Sequence, residues 1–172
     1  MKNKRMYDWV CKALEMEEKG YHFYDRAVRE CPDSVSGEVF AMLRDDEVRH
    51  KERIKELAEA LEKEGDWESV CTLDEDFGDA QRVFARIAET NKGESCAERP
   101  GALNTGIEFE LALVDFYQKA LAEADRDKEK EFLEKMIQEE KAHYILLADM
   151  DYYYQDPQGW ARDQGGGTLD GA

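Results

Sequence analysis

Residues 46–50 read DEVRH and residues 139–143 read EEKAH. Each stretch holds a Glu-x-x-His motif, Glu47 with His50 and Glu140 with His143. One further glutamate precedes each motif at the same distance. Glu17 stands 30 residues before Glu47 (47 − 17), and Glu110 stands 30 before Glu140 (140 − 110). On a helix, positions i and i+3 point to one side, so each Glu can act together with its His. Four carboxylates and two imidazoles in two matching halves are the donor set with which a helical bundle holds two iron or manganese ions. The expected metal ligands are therefore Glu17, Glu47, His50, Glu110, Glu140 and His143. A lone Glu-x-x-His recurs by chance in Glu-rich helices; two copies in register with two lone glutamates do not.

Around these residues the apolar positions recur with a seven-residue, coiled-coil-like period. The stripes are Val10, Leu14, Glu17, Tyr21, Tyr24 and Val28; Phe40, Leu43, Glu47, His50, Ile54, Leu57 and Leu61; Leu103, Ile107, Glu110, Val114, Tyr117 and Leu121; and Leu133, Met136, Glu140, His143, Leu147, Met150 and Tyr154. Every expected ligand lies inside a stripe and none on a charged face. An unpaired carboxylate in a bundle core costs several kcal/mol, so it must be neutralised, paired or metal-bound. Oxygen-rich coordination with one nitrogen per ion suits iron or manganese better than structural zinc.

The halves also repeat in sequence. ALEMEEKGYHFYDRAV (13–28) aligns without gaps on GIEFELALVDFYQKAL (106–121), and Asp46-Glu47 aligns on Glu139-Glu140. A doubled two-helix hairpin predicts a pseudo-twofold axis through the bundle. Pro32, Asp33 and Ser34 predict a tight turn between the first two helices, and Gly65 and Asp66 close the second. The last two helices meet near Ala124 to Asp127. A long crossover, residues 66–102, joins the hairpins, with a short amphipathic helix expected over about Asp76 to Thr90. The expectation is an all-α four-helix bundle in residues 1–155 and a loose tail in 156–172, where Gly165 to Gly167 fall.

Composition agrees. The 172 residues include only three Pro, and 24 basic against 41 acidic residues give a net charge of −17. Such a charge repels phosphate backbones, which excludes nucleic acid as an expected partner. No apolar run is long enough to span a bilayer, and no secretory leader opens the chain. Cys11, Cys31, Cys71 and Cys96 form no Cys-x-x-Cys, which excludes a rubredoxin-type or ribbon site. They are expected as reduced thiols in a cytoplasmic protein.

Tyr24 and Tyr117 lie seven residues after Glu17 and Glu110, two turns along the same faces. Each hydroxyl can reach a ligand carboxylate across the bundle and orient it, or be satisfied elsewhere in the core. Glu15, Glu18, Asp46, Glu108 and Glu139 lie off the stripes, as surface acids or as groups that back the ligands. His22 is out of phase and expected to be exposed; Met16, Met42 and Met136 are expected in the core.

On Glu17, Glu47-x-x-His50, Glu110, Glu140-x-x-His143 and the two Glu-to-Tyr offsets, residues 6 to about 154 resemble the rubrerythrin branch of the ferritin-like superfamily. The resemblance implies a ferritin-like bundle, a di-iron centre and often a homodimer. It also implies reduction of hydrogen peroxide or oxidation of ferrous iron by oxygen. Two departures bear on it. The paired-cysteine rubredoxin domain of standard members is missing here, so electrons would come from a separate rubredoxin-type donor. Leu113 stands where many members carry an extra Glu, so iron movement linked to that Glu is not expected. Tyr152 to Trp160, with Asp156-Pro157, is similar to the ends of short, rubredoxin-free members. Three readings stay open: a peroxidase, a ferroxidase or iron-handling protein, and a non-catalytic metal-binding or sensing bundle.

Overall fold

The computed structural model describes residues 2–31, 35–61 and 100–165. These residues form five α-helices and, among the described residues, no strand: α1 (Lys2–Glu30), α2 (Val35–Leu61), α3 (Pro100–Glu123), α4 (Asp127–Gln155) and α5 (Pro157–Gly165). The expected turn at Pro32 to Ser34, the close of the second helix at Gly65 and Asp66, the short helix over Asp76 to Thr90 and the end of the tail lie outside the described residues.

The four long helices are rich in Ala, Leu, Glu and Lys and carry no interior proline. Pro100 opens α3, a position where its missing N–H has no intrahelical partner to lose. Asp127 and Glu129 in the first turn of α4 complement the helix dipole. At the end of α4, Asp156 caps α5: its Oδ1 accepts the Gly159 N–H at 2.9 Å, and Pro157 takes the first helical position. α5 occupies the first part of the segment expected as a loose tail. It is tied back onto α4 by Trp160 Nε1 donating to Asp149 at 2.9 Å and Tyr152 Oη donating to Asp163 at 2.8 Å. Nine residues are too few for a periodic signal to stand out, which is why the stripe ends at Tyr154.

α1 packs along α2 and α3 along α4, as two hairpins; α1 then meets α3, and α2 meets α4. Cross-contacts fix the directions. Tyr24 reaches Glu110 and Tyr117 reaches Glu17, so α1 and α3 run antiparallel. His143 reaches Asp46 and His50 reaches Glu139, so α2 and α4 do too. The helices form a bundle, and the two hairpins are related as the sequence repeat predicts.

The core lies in two parts. Trp9, Val10, Met16, Ile54, Leu113, Tyr117, Leu133 and Met136 belong to one; Tyr24, Phe40, Leu43, Leu103, Leu147 and Met150 belong to the other. Between them, on each long helix, comes a level of charged residues. Among the described side chains, the stripes read from the sequence are buried or half-buried. Met42 is the exception among the expected core methionines, since it is 45% exposed while Met16 and Met136 are buried. Met42 falls between Phe40 and Leu43, off the stripe of α2. The expectation of four reduced thiols also fails. Cys11 is disulfide-bonded, while Cys31 is a buried thiol. A disulfide without a Cys-x-x-Cys leaves no local spacing to read, and it is unusual in the reducing cytoplasm expected for this chain. No helix among the described residues is long and apolar enough to cross a membrane.

Candidate metal centre

All six residues singled out from the sequence come together at the level between the two parts of the core. Glu17, Glu47, His50, Glu110 and Glu140 are fully buried, and His143 nearly so. Donor atoms of Glu47, Glu110, Glu140 and His143 all lie within 4.8 Å of one another, as do those of Glu17, Glu47 and His50. Glu47 belongs to both groups. The imidazoles stack with ring centroids 5.5 Å apart.

Each imidazole turns Nδ1 inward and Nε2 outward. His50 Nδ1 lies 3.1 Å from Glu17 Oε2 and 3.1 Å from Glu140 Oε1. His143 Nδ1 lies 3.3 Å from Glu140 Oε2 and 3.6 Å from Glu110 Oε2. The outer nitrogens cross between the halves: His50 Nε2 meets Glu139 at 2.9 Å, and His143 Nε2 meets Asp46 at 3.2 Å. Each off-stripe acid that immediately precedes one Glu-x-x-His therefore backs the histidine of the other. Arg53 in turn holds Glu139, at 2.6 and 2.7 Å, and Arg49 pairs with Asp46. An outer carboxylate of this kind fixes the tautomer and aim of a ligating imidazole. The remaining off-stripe acids are peripheral. Glu15 pairs with Lys19, Glu18 pairs with Lys51 and with the exposed His22, and Glu108 is exposed.

Both tyrosines are fully buried and donate across the bundle, Tyr24 to Glu110 Oε1 and Tyr117 to Glu17 Oε1. Burial, then the neighbouring carboxylates, hold both phenols protonated far above their usual range. They are obligate donors here.

The electrostatics of this level are unresolved by protein groups alone. Burial, then the charge of Glu17, raises Glu47 well above the usual carboxylate range. Burial also raises Glu110, and the nearby His143 imidazole only partly offsets it, leaving it at about 7. At Glu140 burial is outweighed by His143 and His50, which bring it down to about 2. Burial disfavours the imidazolium of His50, but Glu140 and Glu17 outweigh it and push it up to about 11; Glu110 and Glu140 push His143 to about 9 in the same way. Among the described residues, the buried side-chain atoms without a hydrogen-bond partner are both oxygens of Glu47, both of Glu140, Glu110 Oε2 and His143 Nδ1. The Glu140 and Glu110 oxygens stand at ion-pair distances from the imidazoles, but without the alignment of a hydrogen bond. Buried polar atoms are normally satisfied, so a cluster of orphaned oxygens with an orphaned imidazole nitrogen fits cations as the missing partners.

The fold and this centre define a class: helical bundles built from two hairpins around a level of buried carboxylates and imidazoles suited to a dinuclear metal site. The family model for rubrerythrin matches residues 8–150, and the chain belongs to that family. Neither the curated proteins nor the solved structures yield a match.

Proposed function

We propose that this protein is a dinuclear iron oxidoreductase that reduces hydrogen peroxide to water, with electrons from a separate rubredoxin-type protein. The observation that supports this reading most is the set of six buried donors, related by a pseudo-twofold axis, in a chain of the rubrerythrin family. Glu17 and His50 would hold one ion and Glu110 and His143 the other. Glu47, common to both donor groups, would reach both, and Glu140 would complete the group of Glu110 and His143. Manganese fits the same donors.

Two ferrous ions, when bound, supply the two electrons that, with two protons, convert one hydrogen peroxide into two waters. The chain's own part is positional and protic. Glu139 and Asp46 keep both imidazoles aimed inward. Tyr24 and Tyr117 orient Glu110 and Glu17 through their hydroxyls, which stay protonated and donate to those carboxylates. The apolar layers above and below exclude water. A homodimer is the proposed assembly, which light scattering tests directly.

Rapid-mixing absorbance on reduced, iron-loaded protein tests the activity. Oxidation much faster with peroxide than with oxygen, at one peroxide per two ions, supports the proposal. Faster oxidation by oxygen, with added ferrous iron consumed, replaces it with a ferroxidase, a reading that the net charge of −17 favours because it concentrates cations. No turnover with either oxidant leaves a binding or sensing bundle. Glu140→Ala removes the carboxylate between the two imidazoles and is expected to lower loading below two ions per chain, as counted by metal analysis.

A further inference from the structure

The duplicated halves differ at a position that borders the centre. An offset of 93 residues relates Glu17 to Glu110 (110 − 17) and Glu47 to Glu140 (140 − 47). At the same offset Gly20 corresponds to Leu113, and Met16 to Phe109. Leu113 is a fully buried side chain in the core. Gly20 has no side chain, and the space is taken from both halves. A Cβ built on it would lie 2.6 Å from Phe109 Cε1, 2.9 Å from Cζ and 3.1 Å from Glu47 Cδ. Glycine is a poor residue for a helix interior, so its place in the middle of α1 calls for a reason.

The four core carboxylates are held differently. Glu17 accepts from Tyr117 and lies 3.1 Å from His50 Nδ1. Glu110 accepts from Tyr24. Glu140 sits between the two imidazoles, at 3.1 and 3.3 Å. Glu47 has neither oxygen hydrogen-bonded, and His50 Nδ1 stands 3.9 Å away. A Cβ at position 20 would crowd its carboxyl carbon at 3.1 Å.

We propose that Gly20 and Phe109 are a positioning pair for Glu47: the missing side chain at 20 leaves room for both the Phe109 ring edge and the Glu47 carboxyl carbon and so directs the carboxylate that no phenol or close imidazole holds. The consequence is two inequivalent metal positions. Without a correctly aimed Glu47, the group Glu17, Glu47 and His50 keeps two donors, whereas Glu47, Glu110, Glu140 and His143 keeps three. The position beside His50 therefore depends on Gly20 more than the one beside His143. This inference rests on the dinuclear reading above.

Titration of the metal-free protein with cobalt(II), followed by absorbance and by the paramagnetically shifted imidazole N–H resonances, tests it. Thermal denaturation of each metal-free variant accompanies the titration. Wild-type protein is expected to bind two ions per chain. Gly20→Ala is expected to keep one ion at wild-type affinity and weaken the other about tenfold or more, with the His50 resonance fading and that of His143 retained. Gly20→Ala/Phe109→Leu, which makes room for the added methyl, is expected to recover the weakened ion. Phe109→Leu alone, which leaves the space at Gly20 partly unfilled, is expected to weaken the same ion, and it carries the test if Gly20→Ala fails to fold. Equal weakening of both ions, or wild-type binding of both with only a lowered melting temperature, would show that the pair merely packs and overturns the proposal. Wild-type protein binding fewer than two ions overturns the dinuclear reading, and the inference with it.

Discussion

At the scale of single residues, the centre is organised by groups that need not touch an ion. Tyr24 and Tyr117 each give a buried carboxylate its hydroxyl partner. A hydrogen bond to a charged group contributes about 1.5–3 kcal/mol, and loss of such a backing partner commonly costs 10–100-fold in metal affinity. Tyr24→Phe and Tyr117→Phe are accordingly expected to fold and to bind metal about tenfold or more weakly, as read by competition against a chelator. Unchanged affinity would make both tyrosines core residues only. Protons are the second consequence at this scale. His50 at about 11 and His143 at about 9 are raised above their ordinary value, so both are protonated at neutral pH in the metal-free protein. An ion that takes Nδ1 must displace those protons. Loading is therefore expected to release at least two protons per chain at pH 7, those held by the raised Glu47 and Glu110 adding to the two from the imidazoles, and to weaken as pH falls. Calorimetry in two buffers of different ionisation enthalpy counts them, and no net release would mean that the imidazoles do not ligate. The six candidate ligands and the tyrosine offsets were legible because duplication wrote each of them twice. The roles of Asp46 and Glu139 were only half legible. Their place before each ligand Glu was visible, but the crossing to the opposite histidine arises from the antiparallel packing of α2 on α4.

At the scale of elements, the four long helices and their inward faces could be read from a seven-residue period, because each helix buries one stripe and leaves the rest to water. Contacts between helix ends could not. Trp9 Nε1 donates to Glu129 Oε1 at 2.9 Å, joining the start of α1 to the first turn of α4. Both residues are buried, Glu129 to 3% exposure, although in the sequence Glu129 is one acid within a charged run. Trp9 lies off the stripe of α1, and Glu129, in phase one turn before Leu133, is an acid ahead of the first apolar position of its stripe, so an apolar period does not reveal the pair. Trp9→Phe keeps the ring packing against Phe132 but removes the donor. Leaving a buried carboxylate oxygen without its partner is expected to lower stability by roughly 1–3 kcal/mol in denaturant unfolding of the metal-free protein. Glu129→Gln, whose amide oxygen still accepts, is expected to lose less. Equal losses in the two variants would place the effect in packing and not in the hydrogen bond.

At the scale of the whole molecule, a charged level divides the apolar core in two. The chain carries four carboxylates and two imidazoles where a bundle of this size would otherwise gain from burying apolar surface. That arrangement is unfavourable on its own, since the carboxylates repel one another and several of their oxygens have no partner. Cations bound there act on the folded state and not on the unfolded chain, so metal and fold stability are linked. At free metal a thousandfold above Kd, one site contributes about 4 kcal/mol. For a chain of this length that corresponds to roughly 8–16 °C in melting temperature. Chelation is therefore expected to lower the melting temperature of iron- or manganese-loaded protein by at least that amount, with re-addition restoring it. Glu140→Ala should shrink the difference, because the variant has less metal to lose. An unchanged melting temperature on chelation would mean that the ions are not held at the buried level. The carboxylates between the two parts of the core would then be neutralised by protons and by His50 and His143 alone.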